Sequence, residues 1–186
     1  MRLTKDRYDE IQRIVVDMYE SCDITTYPIS CQEICNKKGI RLFPYSSLSA
    51  KKQDAVKQLS PDGIHMLIED IRTGEFFWVI YYNDENCRER IRWTLLHEIG
   101  HIVLDHTEES DLSEAEANFF AKYALAPPPL VMAAKCEDYI DIAMKFDISQ
   151  TAAFYSMKFY NNWLEFGPKT LLPYESHMLR LFGYAA

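Results

Sequence analysis

The segment HEIGH at residues 97–101 constrains this chain more than any other feature of its sequence. It has the form H-E-x-x-H, with two histidines four residues apart. On an α-helix such residues lie on one face, so His97 and His101 can bind one cation while Glu98 points toward the same side's substrate space. The pattern predicts a metal-binding helix over about 88–105. The competing interpretation is an ordinary buried helix whose histidines hydrogen-bond to the backbone.

A catalytic zinc site usually has three protein ligands, so this segment lacks one. His106 follows His101 by five residues, about 140° around a helix, and points away unless the helix has ended. The longer motif HExxHxxGxxH is excluded because Leu104 and Thr107 stand where it requires Gly and His. Asp105 would crowd the water if it were a ligand, so a capping or supporting role fits it better.

The next predicted helix, at about 113–125, supplies the better candidate. Glu114 shares a face with Ala117 and Ala121, whose small side chains allow close packing against the HExxH helix. Glu116 lies on the other side and also fits a helix cap, and it remains the alternative ligand.

Asn118 lies one turn after Glu114 on the same face. Its side-chain carbonyl can accept the second ring N–H of a metal-bound histidine. The competing interpretation is an exposed helix residue.

The segments RIRWTLLHEIGHIVLDH (90–106) and EAEANFFAKYALAP (114–127) together resemble the ImmA/IrrE family of bacterial metallopeptidases. The resemblance covers about residues 60–130 and implies that Glu114 is the third ligand of one Zn²⁺ ion. It further implies a zincin-like core similar to thermolysin, and a helix-turn-helix repressor from a phage, mobile element or stress regulon as the substrate. The chain departs from the family's usual L-L-M-P ending, which here reads ALAP.

A zinc-dependent endopeptidase is therefore the expected function, with His97, His101 and Glu114 as metal ligands, Glu98 as the general base and Asn118 in support. Manganese or iron can also occupy a site of two histidines and one carboxylate. A protein that binds zinc but sequesters a repressor without cutting it remains an alternative.

The whole chain is predicted to be a single α+β domain, 1–186, with a small, mostly antiparallel sheet packed on a helical half that carries the HExxH helix. Three parts follow in order: N-terminal helices and the first strand, the sheet and metal-binding core, and C-terminal helices with a tail (1–60, 61–130 and 131–186). Alternation and aromatic runs predict three strands, the last two forming a hairpin (40–45, 62–69 and 76–83).

Apolar spacing predicts a helix at 4–21, and Pro28 and Gly39 are expected to bound a second, shorter one. The polar stretch 46–61 reads as a surface excursion. A helix near 113–125 should stop before the triple proline at 127–129, and two more helices should fill 136–165.

Composition narrows the setting in which the protein acts. The net charge is −8 and no apolar stretch is long enough to span a membrane, which disfavours nucleic acid and membrane as partners. The N-terminus has no secretory signal, and the five cysteines have no framework spacing, so a cytoplasmic protein with free thiols is expected. Cys31 and Cys35 are a weaker candidate metal pair. The sequence carries no signal of oligomeric state.

Residues 142–157, IAMKFDISQTAAFYSM, resemble a helix-turn-helix and give a third interpretation. The second helix has a single lysine and many aromatic residues, whereas DNA reading needs arginines and lysines. We expect a helical pair that closes the core or contacts a protein substrate.

Overall fold

The computed structural model describes residues 3–185. The first helix, α1 (Lys5–Ser21), begins after Thr4, whose side chain accepts a hydrogen bond from the amide of Arg7. Its apolar stripe is buried as predicted. The second helix, α2 (Cys31–Lys38), ends at Gly39, which has φ +69°. The predicted start at Pro28 is wrong, because Ser30 caps the helix and Pro28 lies in the preceding turn.

The sheet contains β1 (Arg41–Pro44), β2 (Gly63–Glu69) and β3 (Phe76–Tyr82), in the order β1-β3-β2. The hairpin prediction is confirmed, since β2 and β3 pair antiparallel along their full length. The sheet is mixed, because the shorter β1 pairs parallel with β3. As the middle strand, β3 leaves one edge of β2 unpaired within residues 3–185.

The segment between β1 and β2 differs from its prediction. It folds into a 3₁₀ turn (Tyr45–Ser47) and the helix α3 (Ala50–Leu59). No residue of α3 is buried, so its sequence lacks the apolar stripe by which a helix is recognised.

Two helices pack against each other beside the sheet: α4 (Arg88–Val103) and α5 (Asp111–Leu125). Helix α4 also contacts β2 and β3, so it lies between the sheet and α5. Helix α5 starts two residues earlier than predicted, because Ser110 accepts a hydrogen bond from the amide of Ser113, whose hydroxyl in turn accepts one from the amide of Ser110.

Past α5, the chain turns at the triple proline as predicted, but a short helix that was not predicted begins within it. The remaining helices are α6 (Pro128–Ala133), α7 (Tyr139–Phe146), α8 (Gln150–Phe166) and α9 (Pro173–Leu181). Helices α7 and α8 are the two expected in 136–165. They meet at Asp147, which adopts φ +52°.

The core joins the two ends of the chain. Helix α9 packs on α1 and α6, and the Tyr19 hydroxyl donates to the Ala124 carbonyl at 2.6 Å. The structure is thus α+β, with the small sheet on one side of α4 and helices on the other. Across residues 3–185, no helix is long and apolar enough to cross a membrane.

Candidate metal centre

Three potential ligands converge where α4 meets α5. The Nε2 atoms of His97 and His101 lie 3.2 Å apart. Glu114, in the first turn of α5, places Oε1 3.2 Å from the His101 Nε2 and Oε2 3.5 Å from the His97 Nε2. Zinc bonds nitrogen and oxygen at about 2.0–2.1 Å, so the ligand atoms of a tetrahedral site lie about 3.3 Å apart. The observed spacing fits a cation held by these three residues.

Close contact between α4 and α5 makes this convergence possible. Gly100 directly precedes His101 on α4. A Cβ built at Gly100 would be 3.0 Å from Cδ1 of Phe120 on α5. Phe120 is fully buried. The absence of a side chain at Gly100 therefore lets α4 approach α5 closely beside the two histidines.

The two candidate glutamates of α5 point to different places, as their helical faces require. Glu114 is half-exposed at the cleft, whereas Glu116 is buried and hydrogen-bonds to Arg7 and His106. The geometry thus brings Glu114, and not Glu116, to the histidine pair.

Glu98 is buried beside the ligands, and its Oε2 lies 2.6 Å from Nδ1 of His65. His65 is on β2, and its ring also stacks on that of His101 with centroids 5.1 Å apart. No local sequence pattern assigns His65 a role. Strand alternation gives the face on which His65 lies, but it does not tell which helix covers that face.

Asn118 is exposed one turn after Glu114. Nδ1 of His97 is buried without a hydrogen-bond partner in the described part of the chain, so Asn118 does not accept from it in this conformation. The supporting role of Asn118 therefore stays a prediction.

His106 contacts His101 and Glu116. Helix α4 ends at Val103, and Asp105 adopts φ +56°, which reverses the chain. As a result, Nδ1 of His106 lies 3.0 Å from Nδ1 of His101, and its Nε2 lies 2.9 Å from Oε2 of Glu116. The 140° angle between the histidines holds only for a continuing helix. Asp105 serves the turn that ends the helix, in line with a capping role.

Burial, together with smaller contributions from charge repulsion by His97, His65 and His106, lowers the pKa of His101 to about 3. The imidazole is therefore neutral at neutral pH. A neutral imidazole has the lone pair that a metal ion requires, so the environment favours metal binding over protonation.

The thiols of Cys31 and Cys35 are less suited than His101 to bind a metal ion. Burial raises the pKa of each thiol to about 12. Both stay protonated at neutral pH, whereas a metal ligand must be a thiolate. All five cysteines are free, as predicted.

A cleft of about 510 Å³ opens over the site. Its walls come from the end of α3, the start of β2, the HExxH turn and the loop before α5. Glu108 and Glu109 lie on that loop and, with Glu114, give the cleft an acidic side.

An HExxH helix, with a further glutamate supplied by the next helix, is typical of metallopeptidases. Comparison with known proteins agrees. A family model described as the IrrE N-terminal-like domain, Peptidase_M78, matches residues 35–156, and the chain belongs to this peptidase family. The comparison with curated proteins gives no match.

Proposed function

We propose that this protein is a zinc-dependent endopeptidase, with a helix-turn-helix repressor as its substrate. One observation carries the proposal: the convergence of His97, His101 and Glu114 at ligand spacing, with Glu98 buried beside them in an open cleft. Membership of the peptidase family supports the same reaction class.

His97, His101 and Glu114 would hold the ion. Zinc bound there would lower the pKa of a water molecule toward neutrality and polarise the scissile carbonyl. Glu98 takes a proton from the attacking water and returns it to the leaving amine. His65 holds Oε2 of Glu98, so we assign the proton transfer to Oε1.

The substrate can bind as an added strand along the unpaired edge of β2. Strand β3 offers no such edge, because it pairs with a neighbour on each side. Because His65 lies on β2, a peptide on this edge would pass close to Glu98.

The charge of the cleft supports a basic substrate. Glu108 and Glu109 add two exposed carboxylates to its wall, and the whole chain carries a net charge of −8. DNA-binding repressors present lysines and arginines to phosphate, so such a protein complements this surface.

The surface of helices α7 and α8 gives little support to the interpretation that this chain itself binds DNA. The exposed side of α8 has Phe154 and Tyr155, and the ammonium of Lys158 lies 4.8 Å from the centre of the Phe154 ring. Asp147, at the turn between the helices, is paired with Arg88 and Arg92 of α4. These ion pairs anchor helices α7 and α8 to the core, and we propose that the two helices have a structural role.

The test mixes the purified protein with a candidate helix-turn-helix repressor, sought first among the products of neighbouring genes, and looks for fragments by mass spectrometry. Glu98→Gln should keep one zinc per chain and abolish cleavage, and His97→Ala should lose the zinc itself. Glu165→Gln removes an exposed carboxylate of α8 outside the cleft, so it is the matched control and should keep both zinc and cleavage. A wild-type protein that binds the repressor and leaves it intact would support sequestration instead.

A further inference from the structure

A chain of buried polar groups leads from the metal centre to the first helix. His101 contacts His106 through their Nδ1 atoms at 3.0 Å, and His106 Nε2 lies 2.9 Å from Glu116 Oε2. Glu116 in turn accepts from Arg7 Nε at 2.8 Å and from Nη2 at 2.5 Å. The side chains of His106 and Glu116 are 10% and 7% exposed.

We propose that Arg7, Glu116 and His106 are positioning residues for the metal, because they fix the proton of His101 on Nδ1 and so direct its Nε2 lone pair toward the ion. This inference rests on the metal site of the proposed function, and it assigns a role to three residues outside the ligand set and outside the reaction.

The direction of the hydrogen bonds follows from counting protons. A neutral imidazole has one N–H, so one ring nitrogen donates and the other accepts. The Glu116 carboxylate can only accept, and His106 Nε2 must therefore donate to it. His106 Nδ1 is left as an acceptor, and His101 Nδ1 must donate to that atom. The Nε2 of His101 then has no proton and faces Glu114 and His97.

The opposite arrangement would block the site. If His106 donated from Nδ1, His101 would accept at Nδ1 and carry its proton on Nε2, where it would face Glu114 at 3.2 Å. That arrangement turns His106 Nε2 into an acceptor opposite a carboxylate, which leaves two acceptors 2.9 Å apart. The buried carboxylate therefore selects the tautomer that binds metal.

Arg7 completes the chain by keeping Glu116 in place. Its guanidinium contacts both carboxylate oxygens, a bidentate pairing that fixes their orientation. Arg7 lies 109 residues before Glu116 in the sequence. The contact of Tyr8 with Phe119, with ring centroids 4.5 Å apart, holds α1 on α5 at the same place. The first helix is thus part of the metal site's support.

His97 offers an internal contrast. Its Nδ1 is buried without a hydrogen-bond partner among residues 3–185, so no such chain directs its tautomer. The two histidine ligands are therefore unequal, because the fold pre-orients only His101.

The first test needs no substitution. Long-range proton–nitrogen correlation spectra of the histidine rings, recorded on the full-length protein with and without zinc, report which nitrogen has the proton. We expect His106 protonated at Nε2 and His101 at Nδ1 in both states. A His106 ring protonated at Nδ1 alone would overturn the inference.

The second test measures zinc affinity by competition with a chromophoric chelator. His106→Leu should weaken binding about 10- to 100-fold, the usual effect of removing a group that supports a ligand. His106→Gln should restore most of the affinity, because its carbonyl can accept from His101 and its amide can donate to Glu116. Glu10→Gln removes the other carboxylate paired with Arg7 and should leave affinity unchanged.

Thermal unfolding of each metal-free variant shows whether it is folded before its affinity is compared. Wild-type affinity in folded His106→Leu would refute the inference, even if the protein cleaves its substrate normally. Conversely, a protein that shows the expected tautomers and affinities but cuts nothing would refute only the proposed function.

Discussion

Replacing Gly100 with alanine should separate the two helices that share the metal site. The added Cβ would stand 3.0, 3.2 and 3.3 Å from three carbon atoms of Phe120. Carbon atoms prefer about 3.5–4.0 Å, so the helices must move apart by roughly half an ångström or the ring must shift. Phe120 is fully buried in the core, which leaves its ring little room.

Two opposing effects set the change in stability. Overpacking a close-packed core costs about 1–3 kcal/mol, while alanine in place of glycine in a helix contributes about 1 kcal/mol. We expect a net loss of about 0–2 kcal/mol in the free energy of unfolding.

The effect on zinc affinity should be larger, because α4 carries both histidines and α5 carries Glu114. The present spacing of 3.2–3.5 Å already matches a tetrahedral site, so any separation weakens binding. We expect at least about a 10-fold loss of affinity, since second-sphere changes alone reach that size.

The assays are urea unfolding of the metal-free protein and chelator competition for zinc. A double-mutant cycle with Phe120→Ala is the control, because the smaller side chain removes the two closest contacts. In that background, Gly100→Ala should stabilise the protein through its helix propensity. If Gly100→Ala raises the stability of the otherwise unchanged protein and leaves zinc affinity as it was, close helix packing does not build the site.

Two other predictions address contacts that the sequence did not reveal. His65→Ala should keep zinc but lower kcat roughly 10- to 100-fold, which is part of the 10²–10⁴-fold that a general base supplies. His65→Gln retains a donor to Glu98, so its kcat should fall less. Equal kcat values for the wild type and His65→Ala would remove His65 from the mechanism. Asp147→Asn should lower the free energy of unfolding by about 1 kcal/mol at pH 7. Hydrogen bonds from Arg92 hold the pKa of Asp147 below its ordinary value of 3.8, so its stabilising contribution is full above that pH and is lost as pH falls through the folded pKa. Unfolding curves of the two proteins should therefore converge in acid, and a difference that persists there would contradict the ion-pair explanation.

Local sequence patterns were sufficient for most elements of the fold. The amphipathic stripe of α1, the hairpin of β2 and β3, and the stop before the triple proline all depend on residues within a few positions of one another. The exposed helix α3 was missed for the same reason, since a helix that buries nothing has no apolar stripe. The parallel pairing of β1 with β3 could not be read from either strand, because it depends on where the connecting segments return the chain.

The same division runs through the metal site. The sequence by itself determined that His97 and His101 share a helical face and that Glu114, from its own face, is the better third ligand. These are consequences of helical periodicity, which is local. Only the tertiary structure decided that His65 meets Glu98, that His106 turns back to His101 where α4 ends, and that Arg7 reaches Glu116. Those contacts depend on which faces pack together, and packing is settled by burial over the whole chain.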